Sequence, residues 1–279
     1  MLEEYLTQAI SNGLTHKLAC MVTKGKQKFE FYAGASDPKT EYDLASLTKI
    51  FCTTLLTAQA VAEDLLSLDE KPWACWPGVS IEHILTHRAG LPPWVDISNI
   101  QDVFNIKPIA KPGKKTVYSD MGFIALGALL EERLGEPLDK LFEMPHVHFR
   151  GPEPVDDGRC RALGGVAGHA GLFGTLRGVA EEALFFLMCC KNPQTKLEHV
   201  IKKFAEYPGP RALGFDKSEA LSPKAFGHLG YTGTSVWIDP VQDAVYILLM
   251  RRIDDGSKAE EIKKFRRDFH QQAASLPSS

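Results

Sequence analysis

The feature that most constrains this chain is a serine and a lysine three residues apart at the start of a helical pattern. Ser46 and Lys49 lie on one face of any helix that contains both, because side chains three and four positions apart are neighbours on a helix surface. The run that follows, 50–66, places apolar side chains along one stripe, which predicts a helix buried against a core. The stripe consists of Ile50, Phe51, Leu55, Ala58, Val61, Ala62 and Leu65.

Such a helix start suits nucleophilic chemistry at Ser46. The unpaired N–H groups and the positive dipole end of a first turn favour a developing negative charge, and burial can lower the pKa of Lys49 until it accepts the serine proton. A serine at a helix start is also the ordinary N-cap, however, and a lysine one turn later is ordinarily solvated. Two further triplets accompany the pair: Tyr118-Ser119-Asp120, 72 residues after Ser46, and His228-Leu229-Gly230.

The three motifs, in this order, resemble the SxxK, YxN and KTG/HTG elements of the serine β-lactamase and penicillin-binding-protein superfamily. Longer phrases resemble its class C β-lactamase-like branch, which also holds esterases, D-aminopeptidases and DD-peptidases. The phrases are ILTHRAGLPPW (84–94), YSDMGFIALGALLEERLG (118–135), LGGVAGHAGLFGT (163–175) and GHLGYTGTSVWIDP (227–240), and with the first motif they cover most of residues 41–250.

The resemblance implies a role for each motif residue. Ser46 would be the nucleophile, and Lys49 and Tyr118 would move protons as a coupled pair, with the first acceptor left open between them. The backbone N–H groups of Ser46 and Tyr231 would form the oxyanion hole. The strand that carries residues 228–230 would run beside the substrate.

Asp120 departs from the pattern of many relatives, which have asparagine at this position. An ionised aspartate only accepts hydrogen bonds, whereas an asparagine amide also donates. Asp120 is therefore expected either to pair with Lys49 or to receive a donor such as a substrate amine.

Leu229 and His228 are the sharper departures. Leu229 stands where β-lactamases and DD-peptidases usually have Thr or Ser, whose hydroxyl helps to hold the substrate carboxylate. His228 replaces lysine and is only partly cationic near pH 7. Both changes favour an ester or amide without an obligatory carboxylate over a β-lactam. A shifted strand would offer other hydroxyls instead, those of Thr232, Thr234 or Ser235.

The remaining candidate positions point to packing more than to cofactor chemistry. Trp94 and Tyr231 are expected to line an acyl or leaving-group pocket. The glycine-rich segment 164–171 lacks the spacing of a phosphate-binding loop, and by resemblance it forms a wall near the groove, with His169 buried and hydrogen-bonded. His83 and His87 have helical spacing without the glutamate of a zinc hydrolase, so structural histidines are the prediction. Neither a metal nor another cofactor is expected.

Composition limits the partners. The 279 residues are 44% hydrophobic and 24% charged, enough for a large core, and a net charge of −3 gives no basic surface for nucleic acid. The acidic N-terminus lacks the pattern of a secretory signal, and no long apolar run suggests a membrane span, so a cytoplasmic protein with a small-molecule substrate is expected. Adjacent Cys189 and Cys190 fit free thiols. The oligomeric state stays open.

The order of predicted elements indicates an α+β fold. An antiparallel sheet built from both chain ends would be flanked by N- and C-terminal helices, with an inserted all-helical region. Residues 1–42 and 160–279 would form the sheet region and 43–159 a mostly helical region, with the active site in the groove between them. The predicted elements are a helix over 2–11, strands over 17–23, 28–33, 212–215, 234–238 and 244–250, and a helix over 259–273.

The sequence therefore predicts a serine hydrolase that acts through a covalent acyl-enzyme on a small ester or amide. A D-alanyl-D-alanine peptidase or weak β-lactamase is the alternative specificity of the same residues. A catalytically silent binding module with the same fold is the alternative of a different class, although Ser46, Lys49 and Tyr118 are all present.

Overall fold

The computed structural model describes residues 2–142, 144–253 and 258–277. Within these residues the chain forms two antiparallel sheets, with helices on both sides of the larger one. The strands are β1 (Thr15–Lys24), β2 (Gln27–Gly34), β3 (Tyr42–Asp43), β4 (Val147–Phe149), β5 (Leu172–Gly174), β6 (Asp216–Lys217), β7 (Phe226–Leu229), β8 (Ser235–Asp239) and β9 (Ala244–Arg252). The α-helices are α1 (Leu2–Ser11), α2 (Leu55–Ala62), α3 (Ile81–Leu85), α4 (Ile100–Phe104), α5 (Asp120–Leu134), α6 (Leu138–Leu141), α7 (Gly158–Ala162), α8 (Leu176–Lys191), α9 (Lys196–Ala205) and α10 (Ala259–Ala274).

The larger sheet has the strand order β2-β1-β9-β8-β7-β6, so both ends of the chain contribute to it. Its central strand β9 is a continuous apolar run because both of its faces are covered. Val245, Ile247 and Leu249 face the core that contains α8, whereas Tyr246 and Leu248 face the terminal helices α1 and α10. This is the sheet flanked by terminal helices that the sequence predicts.

The helices between the two halves of the sheet pack around α5, which is buried along most of its length. It contacts α2, α3, α4 and α6. A second, three-stranded sheet of order β3-β5-β4 lies beside them, and the sequence analysis did not predict it. Its strands of two or three residues are too short to carry a period-two pattern. The proposed division at residues 43 and 160 stays a prediction.

Most predicted elements are present with small shifts at their ends. The N-terminal helix matches its predicted bounds, and the C-terminal helix is one residue longer than predicted. The prediction of a strand over 212–215 is wrong, because the pairing at this edge of the sheet starts at Asp216. All six cysteines are free thiols.

The helix after Ser46 differs from the regular helix predicted. Residues Ala45–Leu47 form a 3-10 turn, Lys49–Thr54 are π-helical, and only Leu55–Ala62 are α-helical. The side chains at the start of the predicted apolar stripe are buried. The prediction is wrong at Leu65, which is 45% exposed because the helix ends three residues earlier. The stretch Ala45–Ala62 is long and apolar enough to cross a membrane, yet 78% of it is buried inside the protein, so core packing accounts for its composition.

Glu182 is a buried carboxyl on α8, and its Oε2 has no hydrogen-bond partner among the described residues. Burial, with the charge of Glu181, raises the pKa of Glu182 to about 7. The folded protein therefore holds this proton up to about pH 7, whereas an unfolded chain releases it near pH 4.3. The free energy of unfolding should consequently fall as the pH rises between these values.

We expect Glu182→Gln to remove that pH dependence. In urea unfolding the variant should be more stable than the wild type by about 1 to 3 kcal/mol at pH 8, with little difference at pH 4. Glu261→Gln, on the exposed face of α10, is the control and should give the same difference at both pH values. Equal effects of the two substitutions at pH 8 would contradict the assignment.

Candidate active site

A cavity of about 900 Å³ opens between the edge of the larger sheet and the helical part of the chain. Residues from all three sequence motifs line it: Ser46, Tyr118, Asp120, His228, Leu229 and Gly230, together with Trp94 and Tyr231. The structure therefore brings together residues that are up to 185 positions apart in the chain. Lys49 lies directly beneath the floor, where it contacts Ser46.

Ser46 is half-buried and lies in the 3-10 turn, with its side chain at the cavity floor. The expectation that it starts an α-helix is corrected here, because the backbone tightens into a 3-10 turn and then widens into a π-helix. Ala45, immediately before it, has φ +47°, a conformation that alanine rarely adopts. The Asp43 carboxylate accepts the Ala45 N–H at 2.8 Å and holds this turn.

Lys49 is fully buried and makes three polar contacts. Its Nζ donates to Ser46 Oγ at 2.8 Å and to the His169 carbonyl at 3.3 Å, and it forms an ion pair with Asp120 Oδ1 at 2.8 Å. Burial is the largest influence and by itself lowers the pKa of a lysine, but Asp120 and Tyr118 together outweigh burial and raise the pKa of Lys49 above its ordinary value. The prediction of a lowered lysine pKa is therefore wrong for the resting site.

Tyr118 contacts the same serine oxygen from the other side. Its hydroxyl donates to Ser46 Oγ at 3.0 Å, and Lys49 Nζ lies 5.1 Å from the centre of its ring. The His87 ring packs on Tyr118 with centroids 4.5 Å apart, and His87 Nδ1 accepts the Ser119 N–H at 3.0 Å. Although 37% of Tyr118 is exposed at the cavity, desolvation raises the pKa of its hydroxyl, so the phenol is neutral at rest. His87, predicted as a packed histidine, thus orients the tyrosine.

Asp120 is paired on both of its oxygens. Oδ1 faces Lys49, and Oδ2 lies 2.9 Å from Arg159 Nη2. Burial opposes ionisation, but the nearby cations, Lys49 first among them, lower the pKa of Asp120. Of the two roles predicted for Asp120, the structure contains the pairing with Lys49.

The charge network continues along the cavity wall through Arg159 and Asp157, which no sequence motif indicates. Arg159 Nη2 also contacts Asp157 Oδ2 at 2.9 Å, and Asp157 Oδ1 lies 3.0 Å from His169 Nε2. His169 is buried and hydrogen-bonded, as predicted. Hydrogen bonds from His169 and Arg159 lower the pKa of Asp157, although burial opposes the shift. Lys49 and Arg159 thus lie against the side chains of Asp120 and Asp157, two cations beside two carboxylates.

His228 contributes no positive charge to the cavity. It is buried, its Nδ1 lies 2.8 Å from the Leu229 carbonyl oxygen, and its ring centroid is 5.8 Å from that of Tyr118. Burial, together with the charges of Lys49 and Arg211, lowers the pKa of His228 to about 4. The expectation of a partly cationic histidine near pH 7 is therefore corrected to a neutral one.

The turn after β7 closes the cavity, and Gly230 permits its close approach to the serine segment. A Cβ at Gly230 would lie 2.0 Å from Thr234 Oγ1 and 3.0 Å from the Leu44 carbonyl oxygen. Tyr231, next in the chain, lines the cavity together with Ser46. An oxyanion hole formed by the backbone N–H groups of Ser46 and Tyr231 stays a prediction that this placement supports.

A shifted strand was expected to offer its side-chain hydroxyls to a substrate carboxylate, but these hydroxyls are buried and already hydrogen-bonded. They are those of Thr232, Thr234 and Ser235. Thr232 Oγ1 donates to the Asp43 carbonyl at 2.8 Å, and Thr234 Oγ1 donates to that of Leu44 at 3.4 Å. Ser235 Oγ lies 2.7 Å from His270 Nε2. They do not replace the hydroxyl that position 229 lacks.

Comparison with known proteins matches the Beta-lactamase family to residues 6–271. This chain belongs to the Beta-lactamase family. It is similar to an N-acetylmuramyl-L-alanine amidase of Bacillus subtilis, with 24% identity over 77% of this chain and 68% of the relative.

Solved structures of Beta-lactamase-like proteins share the fold at low sequence identity. A beta-lactamase/D-alanine carboxypeptidase from Pseudomonas syringae has a TM-score of 0.78 at 14% identity, over 99% of this chain and 98% of that one. A hydrolase with promiscuous acyltransferase activity has a TM-score of 0.76 at 17% identity, over 97% of both chains. These structures confirm the predicted fold class, and the family match confirms the predicted superfamily.

The rim of this Beta-lactamase-family cavity carries the aromatic side chains that the sequence predicted there. Trp94 is 63% exposed and Tyr231 is 56% exposed, and both line the opening. The Arg252 guanidinium lies 3.6 Å from the centre of the Tyr231 ring. Among the described residues, no group of three or more His, Cys, Asp or Glu side chains could hold a metal ion.

Proposed function

We propose that this protein is a serine hydrolase that acts through a covalent acyl-enzyme on small esters or amides. The observation that carries the proposal is the position of Ser46 Oγ, which lies 2.8 Å from Lys49 Nζ and 3.0 Å from the Tyr118 hydroxyl at the floor of an open cavity. A nucleophile within hydrogen-bond distance of two proton-transfer groups is the arrangement that covalent acyl transfer requires.

Acylation joins Ser46 Oγ to the substrate carbonyl carbon while the serine proton passes to Lys49 or Tyr118, whichever is then in its basic form. The carbonyl oxygen becomes an oxyanion, for which the N–H groups of Ser46 and Tyr231 are the proposed donors. Collapse of this intermediate breaks the ester C–O or amide C–N bond, and the leaving group takes the proton. A water molecule then attacks the acyl carbon, gives its proton to the same pair, and releases Ser46 with its proton restored.

The cavity chemistry supports a substrate without an obligatory carboxylate. His228 is neutral, Leu229 has no hydroxyl, and both carboxylate oxygens of Asp120 are already paired with cationic side chains. A substrate carboxylate would therefore meet neither a cation at position 228 nor a hydroxyl at position 229, the two groups that hold it in the pattern of the relatives. The exposed aromatic rim at Trp94 and Tyr231 suits an apolar acyl or leaving group instead. Peptidase or amidase specificity, which the names of two relatives suggest, is the second candidate.

Hydrolysis of p-nitrophenyl acetate and butyrate, benzylpenicillin and D-alanyl-D-alanine peptides tests the proposal directly. We expect turnover of the esters, slow or no turnover of penicillin, and a mass increase by one acyl group on Ser46 in denatured protein quenched during turnover. Ser46→Ala should lose both the turnover and the adduct. High turnover of penicillin by the wild type would overturn the substrate assignment.

Leu229→Thr should raise the rate at which benzylpenicillin acylates Ser46 by roughly tenfold, because one hydrogen bond to a carboxylate contributes about 1.5 kcal/mol. Leu229→Ala is the matched control, since it removes the leucine without adding a hydroxyl. Equal gains in both variants would mean that the leucine acts by its size alone.

A further inference from the structure

The residue before the nucleophile has a backbone conformation that its side chain disfavours. Ala45 has φ +47°, in the left-handed region that favours glycine. It is buried and also lines the cavity. Such a conformation persists only where the surroundings enforce it, so a neighbouring group must hold Ala45 in place.

The Asp43 carboxylate provides that restraint. Its Oδ1 accepts the Ala45 N–H at 2.8 Å, and its Oδ2 accepts the Asp156 N–H at 2.7 Å. Asp43 is 7% exposed, and both oxygens bind main-chain donors. The second hydrogen bond ties the serine turn to the segment that leads into Asp157 and Arg159.

The same short segment is also fixed to the turn that carries Tyr231. Thr232 Oγ1 donates to the Asp43 carbonyl oxygen at 2.8 Å, and the Leu44 carbonyl oxygen would lie 3.0 Å from a Cβ at Gly230. Asp43 therefore lies where the strand β3, the serine turn and the turn after β7 meet.

We propose that Asp43 is a positioning residue for acyl transfer: it holds Ala45 in the left-handed conformation and so aims Ser46 at Lys49 and Tyr118. The inference rests on the proposed function in assigning the reaction. It goes further in naming a buried carboxylate that is not part of the cavity lining yet sets the nucleophile's position. Small errors in that position are costly, since a displacement of about 1 Å can lower a rate by about 100-fold.

The first test is Asp43→Ala, which removes both acceptors, beside Asp43→Asn, which keeps one. With p-nitrophenyl acetate in stopped flow, we expect Asp43→Ala to lower the acylation rate constant about 10- to 100-fold, with a change in apparent substrate affinity of less than about threefold. Asp43→Asn should fall between this variant and the wild type. The matched control is Asp239→Ala, another buried carboxylate that binds a turn, and it should keep the wild-type rate.

The second test uses Ala45→Gly, because glycine adopts positive φ without strain. Added to Asp43→Ala, it should raise the acylation rate constant about tenfold. Such a recovery would not occur if Asp43→Ala acted through a general loss of stability. No recovery, or equal rates for Asp43→Ala and Asp239→Ala, would overturn the proposal.

A measurement that does not need turnover separates this proposal from the proposed function. Urea unfolding midpoints of the two single variants and the double variant should be non-additive, because Asp43 and Ala45 are in direct contact. Additive midpoints would overturn the Asp43 assignment even if the wild type acylates. If the wild type shows no pre-steady-state burst of p-nitrophenolate from p-nitrophenyl acetate but the midpoints are non-additive, the proposed function is overturned and the contact stays supported.

Discussion

Lys49→Met is expected to lower the rate constant for acylation of Ser46 by about 100- to 10,000-fold, the range that positioned proton transfer contributes. Methionine fills a similar volume but neither accepts a proton nor contacts Ser46 Oγ, which lies 2.8 Å from Lys49 Nζ. The single-turnover rate with p-nitrophenyl acetate measures the effect. Asp120 keeps its Arg159 partner in the variant, so the carboxylate stays compensated.

Lys24→Met is the control for the loss of a buried lysine. Lys24 is also buried, and its Nζ donates to the carbonyl oxygens of Ala274 and Leu276, away from the cavity. Lys24→Met should leave the acylation rate within about twofold of wild type, because surface and core changes remote from a site act on stability instead. A Lys49→Met rate above one tenth of the wild-type rate would mean that Lys49 is not needed for proton transfer.

Asp120→Asn is expected to lower the free energy of unfolding at pH 7 by about 3 to 5 kcal/mol, the usual cost of breaking a buried ion pair from one side. Asp120 is 8% exposed and lies between Lys49 Nζ and Arg159 Nη2, so its loss leaves the buried Lys49 without its carboxylate partner, whereas Arg159 keeps Asp157. Denaturant unfolding gives the measurement. Asp239→Asn removes a buried carboxylate that faces main-chain N–H groups and a serine hydroxyl, and it should cost less.

We also expect Asp120→Asn to change the pH dependence of acylation. Asp120 raises the pKa of Lys49, so its replacement by asparagine should let Lys49 lose its proton at a lower pH. The rise of the acylation rate with pH should then begin at lower pH in Asp120→Asn than in the wild type. An unchanged pH profile would show that Lys49 is not the group whose proton limits acylation.

The sequence predicted the three contacting residues of the site because their chemistry and order are distinctive. Lys49 Nζ and the Tyr118 hydroxyl both lie within hydrogen-bond distance of Ser46 Oγ, as the motifs indicate. The sheet was equally predictable, since strands such as β9 carry long apolar runs bounded by turn residues.

Arg159 and Asp157 escaped prediction because a charged segment before a glycine-rich stretch has the composition of a solvated loop. Their role depends on a contact with Asp120, 39 positions away from Arg159, which no local pattern encodes. The lysine pKa was mispredicted although the pairing of Lys49 with Asp120 was one of the two roles expected for Asp120. A sequence does not give the distance between the two groups, so it does not show whether the counter-charge outweighs burial. The π-helical start of the serine helix likewise results from packing, since its residues have an ordinary helical pattern.

The most direct test of the acyl-enzyme account is the pre-steady-state release of p-nitrophenolate from p-nitrophenyl acetate by the wild type and by Ser46→Ala. We predict a burst of about one equivalent per wild-type chain followed by a slower linear phase, because water attacks the acyl-enzyme more slowly than Ser46 attacks the ester. The variant should show no burst. Equal and slow release from both proteins, with no acyl adduct on Ser46 in the wild type, would contradict the account.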